Sequence, residues 1–530
     1  MKNTVIDINI LLDYYENIRR EKYPESVDVF EFLKNKDFAF VSVSSIDNLE
    51  FIKYHDLSVR YPNLTKNQKL KIVHNMIKEI LSFFKIAKTP SYIEIDYEDI
   101  EDSLIIHTAK AIDGIVLTRD NKLLKKYPDI CKSPKDYLES FKNKKTDFIP
   151  MLDLARETYY MHYGIEKNID KVINKSNFIL GVEVKELEQK IANYIGTEYA
   201  VGVSSGTDAL LLSLRALAIK KKNQEYWSRG DLIITTPFTF TATGDTILRS
   251  GATPLFVDVD IYTYNIDVNR IKEAIKVYGK RVVGIVPVHL YGLPCNMDEV
   301  MAIAKENDLF VVEDCAQAFG SMYKGKKVGS FGDAGAFSFF PTKNLGAFGD
   351  AGAVTTNDKE LFELIKMLRV HGGKDKYNVE HIGYKARIDT IQAAVLLEKI
   401  KYIDEFNQRR RKIAEYYIRG LSEVKDLKLP YIPSEDYYHT FHQFTIFVKN
   451  NKRDELQKSL KENNIQSMVY YPTPLHKMKV FEGRCEVFGS LENSEKASEG
   501  VLSLPIEPLM EQEELKFIVE KIKNMDEYIY

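Results

Sequence analysis

Residues Ala336–Gly352 read AFSFFPTKNLGAFGDAG. The apolar run Ala336–Phe340 reads as a buried strand that ends at Pro341, delivers Lys343 and breaks into a loop carrying Gly346, Gly349 and Gly352. Lys343 therefore stands at a strand end. A lysine taken out of water loses its preference for the charged form and becomes an amine nucleophile, although a single lysine after a strand is more often a solvated surface group. Upstream, LFVVEDCAQAFG (Leu309–Gly320) is a second apolar strand, ending in Asp314 and followed by Gln317. Two strand ends thus present an amine and an acid. Pyridoxal phosphate needs that pair: a lysine to bond its aldehyde carbon, and a carboxylate to keep its ring nitrogen protonated.

Working outward, a helix, a short strand (Tyr199–Val203) and a turn lead into a long apolar-striped helix that starts at Gly206 and Thr207. Free backbone N–H groups and the positive end of the dipole favour a phosphate there; a plain helix cap is the alternative. Strand and helix patterns alternate through VVGIVPVHLYG, LFVVEDCAQAFG, GAFSFF and GAVTT. That alternation predicts a mainly parallel sheet flanked by helices, with ligands at the strand C-termini.

Eight stretches in order carry a resemblance: VSSGTDALLLSL, GATPLFVDVD, YNID, VPVHLYGLPCNMDEV, VEDCAQAFG, FSFFPTKNLGAFGDAGAVTTND, GYKARIDTIQAAVLLEKIKYIDEFNQRR and VLSLPIEP. From near Phe148 to the C-terminus the chain resembles the DegT/DnrJ family of sugar aminotransferases, of fold-type I, aspartate-aminotransferase-like architecture. The resemblance implies a PLP-binding large domain over 146–400 and a small C-terminal domain over 401–530. It implies that Lys343 binds the cofactor and then shuttles the proton, that Asp314 pairs with the pyridine nitrogen, and that Gln317 approaches the ring's oxygen side. Gly206, Thr207 and Ser338 would hold the cofactor phosphate, and Phe240 would stack on the ring. Relatives that dehydrate sugars carry His at the lysine position, so Lys343 points to transamination. After GY the family commonly has Asn, which reaches the phosphate of the neighbouring subunit; here it is Lys385, either a point charge of the right sign for that phosphate or, equally, a surface lysine. Shared sites of this kind imply a homodimer. His289, His371 and Tyr471 are the candidate substrate contacts.

The chain has 530 residues, 44% hydrophobic and 28% charged, with a net charge of -3. That length suggests two or three domains with ample core material, and the charge balance gives no electrostatic sign of a nucleic-acid or membrane partner. The four widely spaced cysteines form no metal-ligand pair and read as reduced thiols. With no long apolar run, the expected location is cytoplasmic.

In the first 145 residues, apolar strands over Thr4–Leu12 and Phe38–Ser45, and GIVLT further on, alternate with helices. Asp7, Glu50, Asp102 and Asp120 recur at strand ends and adjacent helix starts. Acids sharing a site need a cation, for which Mg²⁺ or Mn²⁺ is suited; helix caps and surface groups are the alternative. VIDINILLD, VSVSSIDNLEF, YEDIEDSLIIHTAKAIDGIVLTRDNKLL and SPKDYLES resemble the PIN domain of VapC-type ribonucleases, a three-layer α/β/α fold. By that resemblance the four acids form the metal site of an RNA-cutting module, with Ile8 standing where the family often has Thr or Ser. Lys122, Lys125, Lys126, Lys132, Lys142, Lys144 and Lys145 could meet RNA phosphates, but with no aromatic stacking partners interleaved among them a solvated basic face is the better reading. The junction is expected near Lys145.

The expected function is PLP-dependent transfer of an amino group from L-glutamate to a nucleotide-linked keto sugar, with a ribonuclease activity as a second expectation. The rival is a PLP-binding regulatory or scaffold protein without turnover, its N-terminal module serving only for docking.

Overall fold

The computed structural model describes residues 3–15, 22–34, 39–87, 100–142, 148–375 and 377–528. The chain divides into two units, Met1–Asp147 with Thr158–Tyr163, and Phe148–Glu157 with Gly164–Tyr530.

In the first unit, β1 (Asn3–Ile6), β2 (Ala39–Ser42), β3 (Lys85–Ala87), β4 (Gly114–Leu117) and β5 (Cys131–Lys132) form a parallel sheet in the order β3-β2-β1-β4-β5. The central strands are apolar on both faces, as parallel strands covered by helices must be. The strand expected over Thr4–Leu12 is shorter than its apolar run. β1 stops at Ile6, and Ile8–Tyr15 is a helix that buries Ile8, Ile10, Leu11 and Leu12. An unbroken apolar run satisfies either geometry, and here the Ile10 N–H turns back to the Asp7 carbonyl (3.0 Å). The second expected strand yields at Val43, because the Ser42 hydroxyl accepts from Ser45 N–H (3.0 Å) and caps the helix Val43–Arg60. Phe38 lies outside the described residues.

The second unit is built on an eight-stranded sheet. Its strands are β6 (Tyr199–Val203), β7 (Leu232–Thr235), β8 (Thr253–Phe256), β9 (Val282–Ile285) and β10 (Phe310–Asp314), followed, after the short β11 (Met322–Tyr323) and β12 (Lys326–Lys327), by β13 (Ala334–Ser338) and β14 (Gly352–Thr356). Further on come β15 (Leu427–Lys428), β16 (Tyr437–Tyr438), β17 (Phe444–Val448), β18 (Glu486–Val487) and β19 (Val501–Leu504). The large sheet runs β18-β8-β7-β9-β10-β13-β14-β6, with β14 alone antiparallel to its neighbours. Glu486–Val487 thus returns from the C-terminal region to edge the large sheet, so the two layers of this unit are not divided cleanly by sequence. A small antiparallel sheet β15-β17-β19 packs with the helices Ile403–Leu421 and Gln512–Tyr528 around Phe444, Ile446, Leu502 and Ile518.

Because β6, β9, β10 and β13 run in one direction, their C-terminal ends share one edge. Ser205, Asp314 and Ser338 are therefore brought to the same side of the sheet, where α/β sheets bind ligands. Among the described residues no helix is long and apolar enough to cross a membrane.

Candidate active site

β10 ends at Asp314, and its carboxyl is buried. Oδ2 accepts from the Thr243 hydroxyl (2.8 Å) and Oδ1 from Ala316 N–H (3.2 Å). Burial raises its pKa above the ordinary carboxylate value, against the pull of those two donors, Lys343 and His289. Beyond β13, the chain folds into a tight turn. Lys343 N–H bonds to the Phe340 carbonyl and Ala347 N–H to that of Phe339 (2.8 Å each). Gly346 lies so close to the Pro341 backbone that a side chain would not fit. At this turn Lys343 is half-buried as a residue, and desolvation lowers its amine's pKa to about 8 while the Asp314 charge partly restores it. The amine is thus available near neutrality, the condition a nucleophilic lysine needs.

Gln317 is held at both ends. Its Oε1 accepts from Tyr291 N–H (2.7 Å) and its Nε2 donates to the Tyr471 hydroxyl (2.8 Å). Tyr471 in turn lies 6.2 Å, centroid to centroid, from Phe240, whose ring is 55% exposed at the start of the helix Thr241–Arg249.

The helix Gly206–Lys222 begins directly after β6. Ser205 spends its hydroxyl on Asp208 N–H (3.0 Å) and its carbonyl on Ala209 N–H (2.9 Å), so the Gly206 and Thr207 amides stand ahead of them at the open end. A Cβ on Gly206 would lie 2.6 Å from Ser338 Cβ, and one on Gly352 would lie 2.5 Å from the Ser205 backbone. Both glycines let the β13–β14 hairpin press against the helix start. This cradle, the lysine and the buried acid fit the phosphate, aldehyde and ring nitrogen of pyridoxal phosphate.

Lys343, Asp314, Gln317, Ser338, Gly206 and Thr207 are therefore gathered on one edge, with Phe240 beside Tyr471. The other candidates are placed differently. His289 is wholly buried: Nε2 bonds to Glu313 (3.1 Å) and Nδ1 accepts from Cys295 N–H (3.0 Å), so both nitrogens have protein partners and neither is free for a substrate. His371 is exposed at a left-handed φ of 65°, its N–H on the Tyr384 carbonyl (3.0 Å). Lys385 is exposed on the hairpin that pairs Val370 with Lys385.

Sequence reading missed Thr243, Asn344 and His442. His442 Nδ1 lies 3.0 Å from Asn344 Oδ1, while Asn344 Nδ2 donates to Asn407 Oδ1 (2.8 Å). Asn344 thus leaves its oxygen to accept, His442 Nδ1 carries the proton, and burial with the nearby Lys343 charge keeps the ring neutral. The FPTKN motif did contain Asn344, but its partner lies 98 residues further along the chain.

In the first unit, Asp7 is buried and accepts from the Thr118 hydroxyl (2.6 Å) and Asn9 Nδ2 (3.1 Å); burial raises its pKa, and the Asp120 charge adds to this. Asp120 caps the helix Asn121–Lys126 through Lys122 N–H (2.6 Å). The Cys131 thiol is pushed up to about 12 by burial and by the charges of Asp7, Asp102 and Asp120. The charges of all three acids thus reach one buried thiol, but their carboxylates are not among the described groups that bring three ligand atoms within 4.8 Å of one another. The half-exposed Glu50 carboxylate meets His74 Nε2 (3.2 Å) on the adjoining helix Lys66–Phe83. Strand-and-helix rhythm places Glu50 on a helix but does not set which way that helix turns it. Among the described residues, only His289, Glu313 and Cys315 bring three ligand atoms within 4.8 Å of one another.

The profile of the DegT/DnrJ/EryC1/StrS aminotransferase family matches residues 161–523. The chain belongs to this family. It is 44% identical over 375 residues to a pleiotropic regulatory protein of Geobacillus stearothermophilus, covering 71% of this chain and 97% of that one. It is 43% identical over 377 residues to the dTDP-3-amino-3,6-dideoxy-alpha-D-galactopyranose transaminase of Aneurinibacillus thermoaerophilus (71% and 99% covered). To the UDP-N-acetyl-3-dehydro-alpha-D-glucosamine 3-aminotransferase of Acidithiobacillus ferrooxidans it is 42% identical over 376 residues (71% and 97% covered). Among solved structures, ntda from Bacillus subtilis with bound cofactor PMP superposes with a TM-score of 0.66 at 29% identity, covering 81% of this chain and 98% of that one. The family match lies wholly downstream of the five-stranded sheet.

Proposed function

We propose that this member of the family is a pyridoxal-phosphate-dependent transaminase that moves an amino group from L-glutamate to the keto carbon of a nucleotide-linked sugar, at carbon 3. The observation that carries the reading is the pairing of strand ends: Lys343, its pKa lowered to about 8 by desolvation, follows β13 within reach of the charge of buried Asp314 at the end of the neighbouring β10. When bound, pyridoxal phosphate supplies an electron-accepting ring and an aldehyde that ferries nitrogen between donor and acceptor. Gly206, Thr207 and Ser338 would hold its phosphate, Asp314 its ring nitrogen, Gln317 its oxygen side, and Phe240 its face. Thr243 keeps the Asp314 carboxylate aimed. Lys343 Nζ, lowered to about 8 by burial, would be the amine that holds the cofactor's aldehyde carbon and the group that holds and returns a proton. The 3-amino and 3-dehydro sugars named for two relatives support carbon 3.

The exposed apolar side chains of Phe340, Phe348, Tyr377, Val379 and Ile382, on the segments that flank the site and carry Lys385, support a homodimer in which Lys385 serves the partner's phosphate. Equilibrium sedimentation is expected to give a dimer.

The deciding experiment supplies isotopically labelled L-glutamate and PLP with a panel of UDP-, dTDP- and GDP-linked keto sugars, read by mass spectrometry. A labelled amino sugar, with its fragmentation placing nitrogen at carbon 3, is expected. If glutamate converts the cofactor but no label reaches any sugar, the acceptor is wrong; if glutamate leaves the cofactor unchanged, the transaminase reading fails.

As a second reading we propose that the first unit is PIN-like, binds Mg²⁺ or Mn²⁺ and cuts RNA; buried Asp7 just after β1, with the Asp120 charge acting on it, supports this. Cleavage that requires Mn²⁺ and disappears in Asp7→Asn is expected. An RNA panel left intact by the parent protein would reduce this unit to a docking module.

A further inference from the structure

Glu313 takes no part in the chemistry assigned to Lys343, yet it is wholly buried, one residue before Asp314 and on the opposite face of β10. Its Oε2 accepts from His289 Nε2 (3.1 Å) and Gly329 N–H (2.8 Å); its Oε1 accepts from Phe331 N–H (2.8 Å) and Gly332 N–H (2.9 Å). Four donors fill the lone-pair positions of an ionised carboxylate. The His289 tautomer follows. Nδ1 accepts from Cys295 N–H, so the proton sits on Nε2 and points at Glu313.

Two arms lead from this carboxylate to the site. The first runs through His289, whose backbone N–H bonds to the Asp314 carbonyl (3.1 Å) and which directly precedes the turn Leu290–Gly292. Within that turn Tyr291 adopts φ 58°, a conformation a tyrosine holds only where its surroundings impose it. The Tyr291 N–H then donates to Gln317 Oε1, which turns the Gln317 amide nitrogen towards Tyr471. The second arm grips the loop Gly329–Gly332, which feeds β13 and so Ser338 and Lys343.

We propose that Glu313, acting through His289, is a positioning residue of the cofactor site: it holds the Tyr291 turn that orients Gln317 and braces the strand that leads to Ser338 and Lys343. The inference rests on the cofactor reading given under Proposed function. Although Cys315 lies near enough to complete a metal site with His289 and Glu313, the lone pairs a metal would need are those already accepting hydrogen bonds.

The test compares His289→Gln with His289→Leu. A glutamine amide keeps one acceptor for Cys295 N–H and one donor for Glu313; leucine fills the apolar space and offers neither. PLP dissociation constants, the visible circular dichroism of the bound cofactor and the melting temperature of the cofactor-free protein are measured for both. Loss of a charge-assisted hydrogen bond is expected to weaken PLP binding by roughly ten- to a hundredfold in the Leu variant. Its visible dichroism band should change, while the Gln variant stays close to the parent in both. Should the Leu variant not fold, His289→Asn is used; its shorter amide cannot span both partners, and the same weakening is expected. Val312→Ala, a packing loss in the same strand, is the control. Equal PLP binding by the Gln and Leu variants would overturn the proposal, as would an equal loss in Val312→Ala. A parent protein that fails to bind PLP would instead locate the error in the cofactor reading, and the positioning role would fall with it.

Discussion

Lys343 and Asp314 lie 29 positions apart in the sequence and titrate against each other in the fold. Burial lowers the lysine and raises the acid, because each charged form is costly out of water. For Lys343 the sign is definite: a lowered pKa means the neutral amine prevails above about pH 8 and the ammonium below it. The rate at which the cofactor-free protein captures PLP is therefore expected to rise with pH through a midpoint near 8, as followed by stopped-flow absorbance. Lys343→Ala should abolish covalent capture and turnover. Thr243→Val removes one donor from the Asp314 carboxylate while keeping the side-chain shape. Weaker PLP retention by about tenfold is expected on dialysis, the scale of one buried hydrogen bond to a charged group.

At the scale of elements, the site depends on a hairpin pressed against a helix start. Gly206→Ala would set a methyl group 2.6 Å from Ser338 Cβ, and the hairpin would have to move. A destabilisation of about 1–3 kcal/mol is expected from such overpacking, read by urea denaturation of the cofactor-free protein, together with weakened PLP binding. Elements were also where sequence patterns misled. Thr4–Leu12 is apolar enough for a strand, but only its first part pairs, since the chain turns back at Asp7 to start a helix. Glu50 was legible as a helix residue, yet its neighbour His74 belongs to the next helix, 24 residues on. His289 lies in a motif that runs beside the site, but its ring turns into the core towards Glu313.

At the scale of the molecule, the two units have separate apolar cores, one around Ile6, Leu11, Val41 and Leu117, the other around Val203, Leu212, Ile233 and Val354. Calorimetry is expected to resolve two unfolding transitions, with PLP raising only that of the second unit, because a ligand stabilises what binds it. The second unit also buries charge. Glu507 is 1% exposed, and burial lifts its pKa to about 8 despite Arg156 and Arg410 nearby. Between the ordinary glutamate value and about pH 8, the unfolded chain releases this proton while the folded chain keeps it. The contribution of Glu507 to stability is thus full at low pH and lost as pH rises through that window. Glu507→Gln should remove this slope, so that melting temperature across pH 5 to about 8 falls less than in the parent.

Local chemistry and order were determined by the sequence alone. A run of apolar residues ending in Pro341 and Lys343, another ending in Asp314 with Gln317 beyond, and SSGTD before a helical stripe each state their element and their reactive group within a dozen residues, because strand and helix periodicity and turn residues act over that range. Direction and partnership were decided only by the tertiary structure. Nothing within a dozen residues of His442 announces Asn344; alternation along the strand sets Glu313 and Asp314 on opposite faces, but nothing in VEDC says that Glu313 meets His289. Which face a side chain takes depends on what packs there, and the groups that fill those faces come from strands and loops brought together only when the sheet closes.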